Sequence, residues 1–493
     1  MKKYLSIIFT VLAIAGSSCK KDYLGELTNN PNTPSVASPS LLLSGSLKTT
    51  AGIINGSLFR QYGGYMGFIS RSTGYQVFAN FDQYAFTTAD FDVWSPTYAN
   101  LSNYNTIINA NAGANYTAIA KIMTVYDYQI LVDSYNNVPY TQALQGTKNL
   151  TPAFDTGTSI YDDLLKQLDA ALGLIKGAPA SDANPGIADI MFAGDMTKWS
   201  KFANTLKLRL ALRQTNLTAK TSALKTAVAA TQSTGYLGTG LAAKVNPGYT
   251  NSDAFGGQQS PFYINFGYTQ SGSGQLGQQQ YQANTYGINF YNNNNDPRVS
   301  RVYALNKDGN VIGSAFGGTA TIPAQKDPSK LGPGAIPAAT MDAVILASPE
   351  ALFLQAEAVE RGYITGDAQA LYNAGIAASF ADNGVPNAAT AASTYYAQSS
   401  VAYPVNGTPD AQIKAIIVQK WAALNPYGML EAFNEFRRTG YPNDIPLSIY
   451  PGVNAPNQVT RIFYPVVVYS TNATNVGAQG TINQFTSKIF WAK

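Results

Sequence analysis

The sequence predicts a mostly α-helical protein in which antiparallel helix pairs form a scaffold for loop-rich segments with short strands. Two observations predict the helices. Apolar residues recur at helical spacing in many segments, and several of these segments begin with a capping residue followed by proline. A third observation predicts the pairs: neighbouring helices form units of about 30 to 35 residues, the size of a tetratricopeptide repeat.

The chain begins with a segment that is typical of a secretory signal. Two lysines precede an apolar stretch at residues 5–15, which is too short to span a bilayer. Cys19, the sole cysteine, follows this stretch as an acylation site does in a lipoprotein. We therefore predict a lipoprotein signal peptide at 1–18 and a lipid-anchored arm at 19–40, with acyl chains such as palmitate at Cys19. The alternative is an ordinary signal peptide with an incidental cysteine.

The helices follow the arm and fall into four pairs. Proline stands at the first helical position after a capping residue at Ser95-Pro96, Ser348-Pro349, Thr408-Pro409 and Asn425-Pro426. The predicted helices are 96–112, 116–134, 158–175, 195–215, 349–361, 367–381, 409–423 and 426–438. The predicted pairs are therefore about 96–134, 158–215, 349–381 and 409–438.

A long segment, about 216–347, separates the second pair from the third. It holds one modest helix candidate, 219–230, and is otherwise rich in Gly, Gln, Asn and Tyr. Because structureless loops of this length are uncommon in compact domains, we expect an ordered insertion with short strands that covers one face of the helices. The alternative for residues 270–282 is low-complexity disorder.

Composition excludes most common enzyme chemistries. The chain has no histidine and one cysteine, which excludes Ser-His-Asp catalysis, histidine-ligated zinc and an internal disulfide. Charged residues make up 12% and the net charge is +4, so no concentrated surface for nucleic acid is predicted. No stretch after the signal is long and apolar enough for a transmembrane helix. We predict no cofactor and no metal site, since Asp90 and Asp92 are too few carboxylates for calcium.

Seven segments, in order along the chain, resemble those of one family. They are CKKDYLGELTNNPN, NNVPYTQAL with TPAFDTGTSIYDDLLKQLDAAL, GDMTKWSKFANTLKLRLALR, NNNNDPRVSRVY, SPEALFLQAEAVERG, QKWAALNPYGMLEAFNEFRRTGYP and RIFYP. From Cys19 to the C-terminus the chain is similar to the SusD/RagB family, the outer-membrane nutrient-binding lipoproteins of Bacteroidota, in the SusD-like type 2 branch.

The resemblance implies a single domain at 41–493, built on four tetratricopeptide-like helix pairs with a loop-rich ligand face. It also implies a surface-exposed lipoprotein of the outer membrane that partners a TonB-dependent, SusC-like transporter. Such a protein binds oligosaccharide, passes it inward and does not alter it. A peptide ligand in the same uptake role is the first alternative.

Carboxylate pairs leave a second alternative, a secreted glycoside hydrolase. Glu350 and Glu357 share a helix face, and two carboxyl groups across an open cleft can cleave a glycosidic bond. Their helix is rich in alanine and leucine, which favours ion pairs inside the scaffold. Arg209 and Arg213 are interpreted in the same way, as partners of carboxylates on neighbouring helices.

Aromatic side chains outside the helices are the candidate sugar contacts. A pyranose ring has an apolar face that a flat aromatic ring matches, and each stack contributes about 1 kcal/mol. Trp94 is the first candidate, because it precedes a helix start where the resembled family tends to place a ligand-facing aromatic. The full set of candidates is Arg71, Phe81, Tyr84, Trp94, Tyr263, Tyr268, Tyr291 and Asn292. The alternative for each ring is a place in the core.

Overall fold

The structure is a computed structural model of the chain, and it describes residues 37–72, 74–318 and 327–493. The predicted signal peptide, Cys19 and nearly all of the predicted arm lie outside these residues. Helices predominate in the described part, and its strands form two small antiparallel sheets. No helix within it is long and apolar enough to cross a membrane.

The helices and strands of the described residues are numbered here in chain order. The helices are α1 Pro39–Asn55, α2 Arg60–Tyr65, α3 Ala79–Asp82, α4 Trp94–Asn109, α5 Ala114–Tyr135, α6 Gly157–Gly177, α7 Met196–Arg213, α8 Thr221–Ala229, α9 Pro261–Phe266, α10 Leu276–Gln280, α11 Thr285–Asn293, α12 Val299–Val302, α13 Ser348–Glu360, α14 Ala368–Asp382, α15 Ala388–Tyr396, α16 Pro409–Leu424, α17 Met429–Thr439, α18 Val466–Thr471 and α19 Ala473–Gly477. The strands are β1 Ile69–Arg71, β2 Ala243–Val245, β3 Tyr281–Ala283 and β4 Ala343–Leu346.

The four predicted helix pairs are confirmed as α4 with α5, α6 with α7, α13 with α14 and α16 with α17. Contacts between α5 and α6 join the first two pairs, and contacts between α13 and α16 join the last two. Helix α7 contacts α13 directly, although about 130 residues of insertion separate them in sequence. The pairs therefore form one continuous stack, as in a helical solenoid.

Of the predicted caps, Thr408 is confirmed: its side chain accepts a hydrogen bond from a backbone N–H in the first turn of α16. Asp195 caps α7 in the same way. The predicted cap at Ser95 is wrong. Helix α4 begins at Trp94, two residues before the predicted start at 96, and the carboxylate of Asp92 accepts a hydrogen bond from the Ser95 backbone N–H at 2.9 Å.

Two other predicted starts also shift. Ser348 is the first helical residue of α13 rather than its cap, and its hydroxyl donates instead to the carbonyl of Gly238 at 2.7 Å. Helix α17 begins at Met429, three residues after Pro426. The proline positions therefore predicted the starts of these helices to within a few residues, but they did not predict the capping residues.

The structure adds helix α1, which the sequence analysis did not predict. It begins at Pro39, inside the predicted arm, and Ser38 caps it. Its Thr50 hydroxyl donates to the Asp127 carboxylate at 2.9 Å, and the Asn55 amide donates to the Val344 carbonyl at 2.9 Å. These contacts tie α1 to the first helix pair and to β4, so the folded domain begins before residue 41.

The insertion between the second and third pairs is ordered in its described residues, as predicted. Strand β3 pairs with β1 from the N-terminal part, with Ile69 opposite Ala283, and β2 pairs with β4. The helix candidate at 219–230 is confirmed as α8. Residues 276–283 form α10 and β3, so disorder is the wrong alternative there.

A buried network of ion pairs joins α7 to the last pair. The Arg213 guanidinium lies 2.6 Å from both Glu431 and Glu435, and Arg438 lies 2.7 Å from Glu357. All of these side chains are buried or nearly so. These arginines and glutamates therefore join neighbouring helices, which confirms the prediction that they form ion pairs inside the scaffold.

Candidate functional site

Three of the predicted ligand-binding rings lie in the core. Phe81, Tyr84 and Tyr291 are 0%, 1% and 0% exposed, so the prediction that they face ligand is wrong for this structure. Phe81 and Tyr84 pack edge-on against Phe316 at 5.1 and 5.8 Å, and the Tyr291 hydroxyl donates to the Ala422 carbonyl. Aromatic clusters and internal hydrogen bonds favour burial of these rings over exposure.

The Arg71 guanidinium also makes its contacts within the protein. Its Nε lies 2.9 Å from the buried Asp82 carboxylate, and its terminal nitrogens donate to the carbonyls of Tyr75 and Gly318. Burial raises the pKa of Asp82, and the Arg71 guanidinium opposes that rise. Removing Arg71 would leave a buried carboxylate unpaired, so the prediction of a ligand-binding role is corrected to a structural one.

Three further candidates are accessible but lie apart from Trp94. Tyr268 is 38% exposed, and its hydroxyl accepts a hydrogen bond from Gln278 at 2.8 Å. Tyr263 is half-buried on α9, and Asn292 is exposed near the end of α11. None of the three lines the pocket at Trp94, so the predicted set does not form one site.

Trp94 stands at the wall of a pocket with a volume of about 200 Å³. The ring is half-buried at the start of α4, with ring centroids 4.8 Å from Tyr98 and 5.7 Å from Phe154. The remaining walls come from the loop before α6 and from α18. They include Pro139, Leu144, Leu150, Val468 and Asn472. We call this the Trp94 pocket.

The Trp94 pocket presents an uncharged surface made of both apolar and polar groups. No Asp, Glu, Lys or Arg is among the described residues that line it. Two of its polar side chains are bonded within the protein: the Tyr98 hydroxyl donates to the Pro139 carbonyl at 2.6 Å, and the Asn472 amide donates to the Pro152 carbonyl at 2.8 Å. Leu150, another lining residue, is 73% exposed.

Sequence reasoning missed the partners of Trp94. Tyr98 lies one helical turn after Trp94, and this spacing is a signal that could have placed both on one face. Leu150 and Val468 lie far from Trp94 in sequence, and residue type alone does not distinguish an exposed leucine from a buried one. Only the fold brings these segments together.

The carboxylates considered for hydrolysis are ion-paired: Glu350 lines a cavity of about 50 Å³ together with its partner Arg209, and Glu357 is buried. Glu350 lies 3.2 Å from Arg209, and Glu357 lies between Arg438 and Arg361 at 2.7 and 2.6 Å. Burial favours the neutral acid, but the two guanidinium groups hold the pKa of Glu357 below its usual value. No group of acidic or cysteine side chains that could hold a metal ion occurs in the described part of the chain.

The stack of helix pairs carries an uncharged pocket that is lined in part by aromatic rings, an arrangement that suits the binding of a ligand. The comparisons with known proteins place the chain in a family. Residues 31–465 match the SusD-like type 2 family model, described as starch-binding and associating with the outer membrane. The chain therefore belongs to the SusD-like family.

Solved structures share the fold at low sequence identity. The chain is similar to a chitin-binding SusD homolog from Flavobacterium johnsoniae, with a TM-score of 0.74 and 23% identity over 91% of this chain and 98% of that one. A SusD homolog from Bacteroides uniformis gives 0.72 and 22% over 92% and 99%. A SusD-like protein from Bacteroides thetaiotaomicron gives 0.72 and 22% over 91% and 98%. No curated protein matches the chain by sequence.

Proposed function

We propose that this protein captures neutral oligosaccharides at the Trp94 pocket on the cell surface and delivers them to a TonB-dependent transporter in the outer membrane. In this role the protein holds its ligand and does not cleave it. Acylation of Cys19 anchors it to the outer membrane. The starch-binding, membrane-associated description of its family and the chitin-binding homolog support this role.

The lining of the Trp94 pocket is the observation that carries the proposal. Trp94 and Tyr98 offer flat apolar faces, and no charged side chain is among the described lining residues. A sugar ring has matching apolar C–H faces and no formal charge. Each of the two stacks contributes about 1 kcal/mol beyond the burial of apolar area, so this pocket supports weak binding, in the millimolar range. This range permits capture followed by release.

The same lining argues against peptides as the principal ligand. A short peptide carries charged termini, and charges that leave water without partners cost free energy. The Trp94 pocket offers them no ion-pair partner among its described residues. We therefore place neutral sugars first and make peptide binding an outcome of the experiment.

Calorimetric titration with malto-oligosaccharides, chito-oligosaccharides and a mixed peptide library tests the proposal. The chain is expressed with Cys19→Ala to keep it free of acyl chains. The informative variant is Leu150→Ser, because Leu150 is 73% exposed and its replacement leaves the core intact. Leu305→Ser is the matched control, since Leu305 is 55% exposed and does not line the Trp94 pocket.

We expect at least one sugar series to bind, Leu150→Ser to weaken that binding about tenfold, and Leu305→Ser to leave it unchanged. An assay for reducing ends on the same mixtures is expected to detect no cleavage. Binding of peptides alone, or equal affinity in both leucine variants, would refute the assignment of sugars to this pocket.

A further inference from the structure

A second uncharged pocket lies where residues 83–85 meet residues 450–455. Its volume is about 260 Å³, and its walls include Gln83, Tyr450, Asn454 and Phe485. No acidic or basic side chain is among the described residues that line it. We call it the Tyr450 pocket.

The polar side chains of the Tyr450 pocket have no hydrogen-bond partner within the described residues. This holds for the amides of Gln83 and Asn454 and for the hydroxyl of Tyr450, whose backbone alone is engaged, with Ser448 and Val453. In the Trp94 pocket, by contrast, the Tyr98 hydroxyl and the Asn472 amide are bonded within the protein. The Tyr450 pocket therefore offers neutral donors and acceptors to a ligand, each hydrogen bond contributing about 0.5 to 1.5 kcal/mol.

Two chain segments that lie side by side connect the pockets. The Val466 backbone N–H donates to the Thr88 carbonyl at 2.8 Å, and the rings of Phe86 and Phe463 lie 5.3 Å apart. The segment that contains Thr88 begins at residues 83–85, which line the Tyr450 pocket, and ends at Trp94, which lines the Trp94 pocket.

The surface between the pockets is short and open. Thr87 and Ala89 are exposed on one segment, and Val466 is 57% exposed on the other. Ala85 and Trp94 are nine residues apart, which limits their separation to about 30 Å even for extended chain.

We propose that the Tyr450 pocket is a second subsite, and that the protein binds an extended neutral oligosaccharide with one end stacked in the Trp94 pocket and a later sugar hydrogen-bonded in the Tyr450 pocket. This inference rests on the proposed function and specifies its ligand class: chains of several sugar units rather than mono- or disaccharides. The two pockets divide the recognition of a sugar between them. One matches apolar ring faces and the other matches hydroxyl groups.

Simultaneous occupancy predicts a dependence of affinity on chain length. Once one end is bound, binding of the other end becomes intramolecular, and affinity can rise by a factor of about 10² to 10⁴ without new kinds of contact. Short sugars cannot gain this factor, because they fill one pocket at a time.

The test compares maltose with maltohexaose and chitobiose with chitohexaose on the chain carrying Cys19→Ala. The variant is Tyr450→Ala combined with Asn454→Ala; Tyr450 is partly exposed and Asn454 exposed, so the fold is expected to persist. The control is Lys244→Ala, which alters a separate, charged pocket of about 290 Å³. Thermal unfolding of each variant checks the fold.

We expect the unaltered pockets to bind a hexasaccharide at least about tenfold more tightly than the disaccharide of the same series. The double variant is expected to lose this preference, keep its disaccharide affinity and unfold at an unchanged temperature. Lys244→Ala is expected to keep the preference.

If the double variant binds the disaccharide and still prefers the hexasaccharide to the same extent, the Tyr450 pocket is not a second subsite. The proposal of sugar binding at the Trp94 pocket is not affected by that result. Equal weakening of both lengths would also overturn the second subsite, since the pockets would then not act separately. Failure of both sugar series to bind at all would overturn the proposed function itself.

Discussion

Arg298 and Asp296 form an ion pair in which both side chains are fully buried, with 2.6 Å between guanidinium nitrogen and carboxylate oxygen. The pair lies in the turn of the segment NNNNDPRVSRVY. The guanidinium also lies 5.0 Å from the centre of the Phe380 ring and 5.5 Å from that of Tyr395. One side chain therefore joins the insertion to α14 and α15, which belong to the third pair and the segment after it.

The first prediction is that Arg298→Ala destabilises the protein by about 3 to 5 kcal/mol, because it leaves Asp296 buried without its partner. Lys198→Ala is the matched control, because its ion pair with Asp195 is about 40% exposed at both side chains. That variant is expected to cost less than about 1 kcal/mol. Chemical denaturation measures both, and equal losses would contradict the buried pair's role.

The second prediction concerns pH. Burial raises the pKa of Asp127 to about 7, and only the hydrogen bonds from Asn100 and Thr50 oppose this shift. The folded protein therefore holds a proton on Asp127 that the unfolded chain releases near pH 4, and this group's contribution to stability falls as pH rises from about 4 to about 7.

Asp127→Asn removes that titration. Relative to the variant, the wild type is expected to lose up to about 1.4 kcal/mol per pH unit across this window and nothing further above it. Unfolding free energies of both proteins at a series of pH values measure the difference. A difference that does not change with pH would show that Asp127 is ionised throughout.

The third prediction concerns the anchor. Each buried methylene of an acyl chain contributes about 0.8 kcal/mol, and two or more chains hold a protein stably on a membrane. Cys19→Ala is expected to move the protein from the membrane fraction to the soluble fraction of cells that process it. Labelling with a palmitate analogue is expected to disappear in the same variant. Labelling that persists without Cys19 would exclude it as the acylation site.

The fourth prediction separates binding from hydrolysis. Glu357→Gln is expected to destabilise the protein by several kcal/mol, because Arg438 and Arg361 lose the carboxylate between them. The released reducing ends from starch or chitin are expected to stay at background in wild type and variant alike. Release by the wild type that Glu357→Gln abolishes would support a hydrolase instead.

The helix pairs could be predicted because their information is local. Apolar spacing and first-turn prolines are properties of neighbouring residues, and they located all eight paired helices. Helix α1 was not predicted, because the sequence that precedes it is rich in Pro, Asn and Ser and resembles a linker. Its stability comes from contacts with Asp127 and Val344, which lie far along the chain.

The site could be predicted only in part, since a ring that stacks on sugar and a ring that fills a core have the same chemistry. Phe81 on α3 and Trp94 at the start of α4 are aromatic residues 13 positions apart, yet Phe81 is fully buried and Trp94 lines a pocket. Tyr450 and Leu150 carry no motif. Their exposure depends on which distant segments pack beside them, and sequence spacing does not encode this.

The absence of charge from the described walls of both pockets has a consequence for where the protein can work. Dissolved ions weaken attraction between exposed charges over distances of about 10 Å at 0.1 M, but they act little on stacking and on neutral hydrogen bonds. The affinity of these pockets for a neutral ligand is therefore expected to change little with ionic strength.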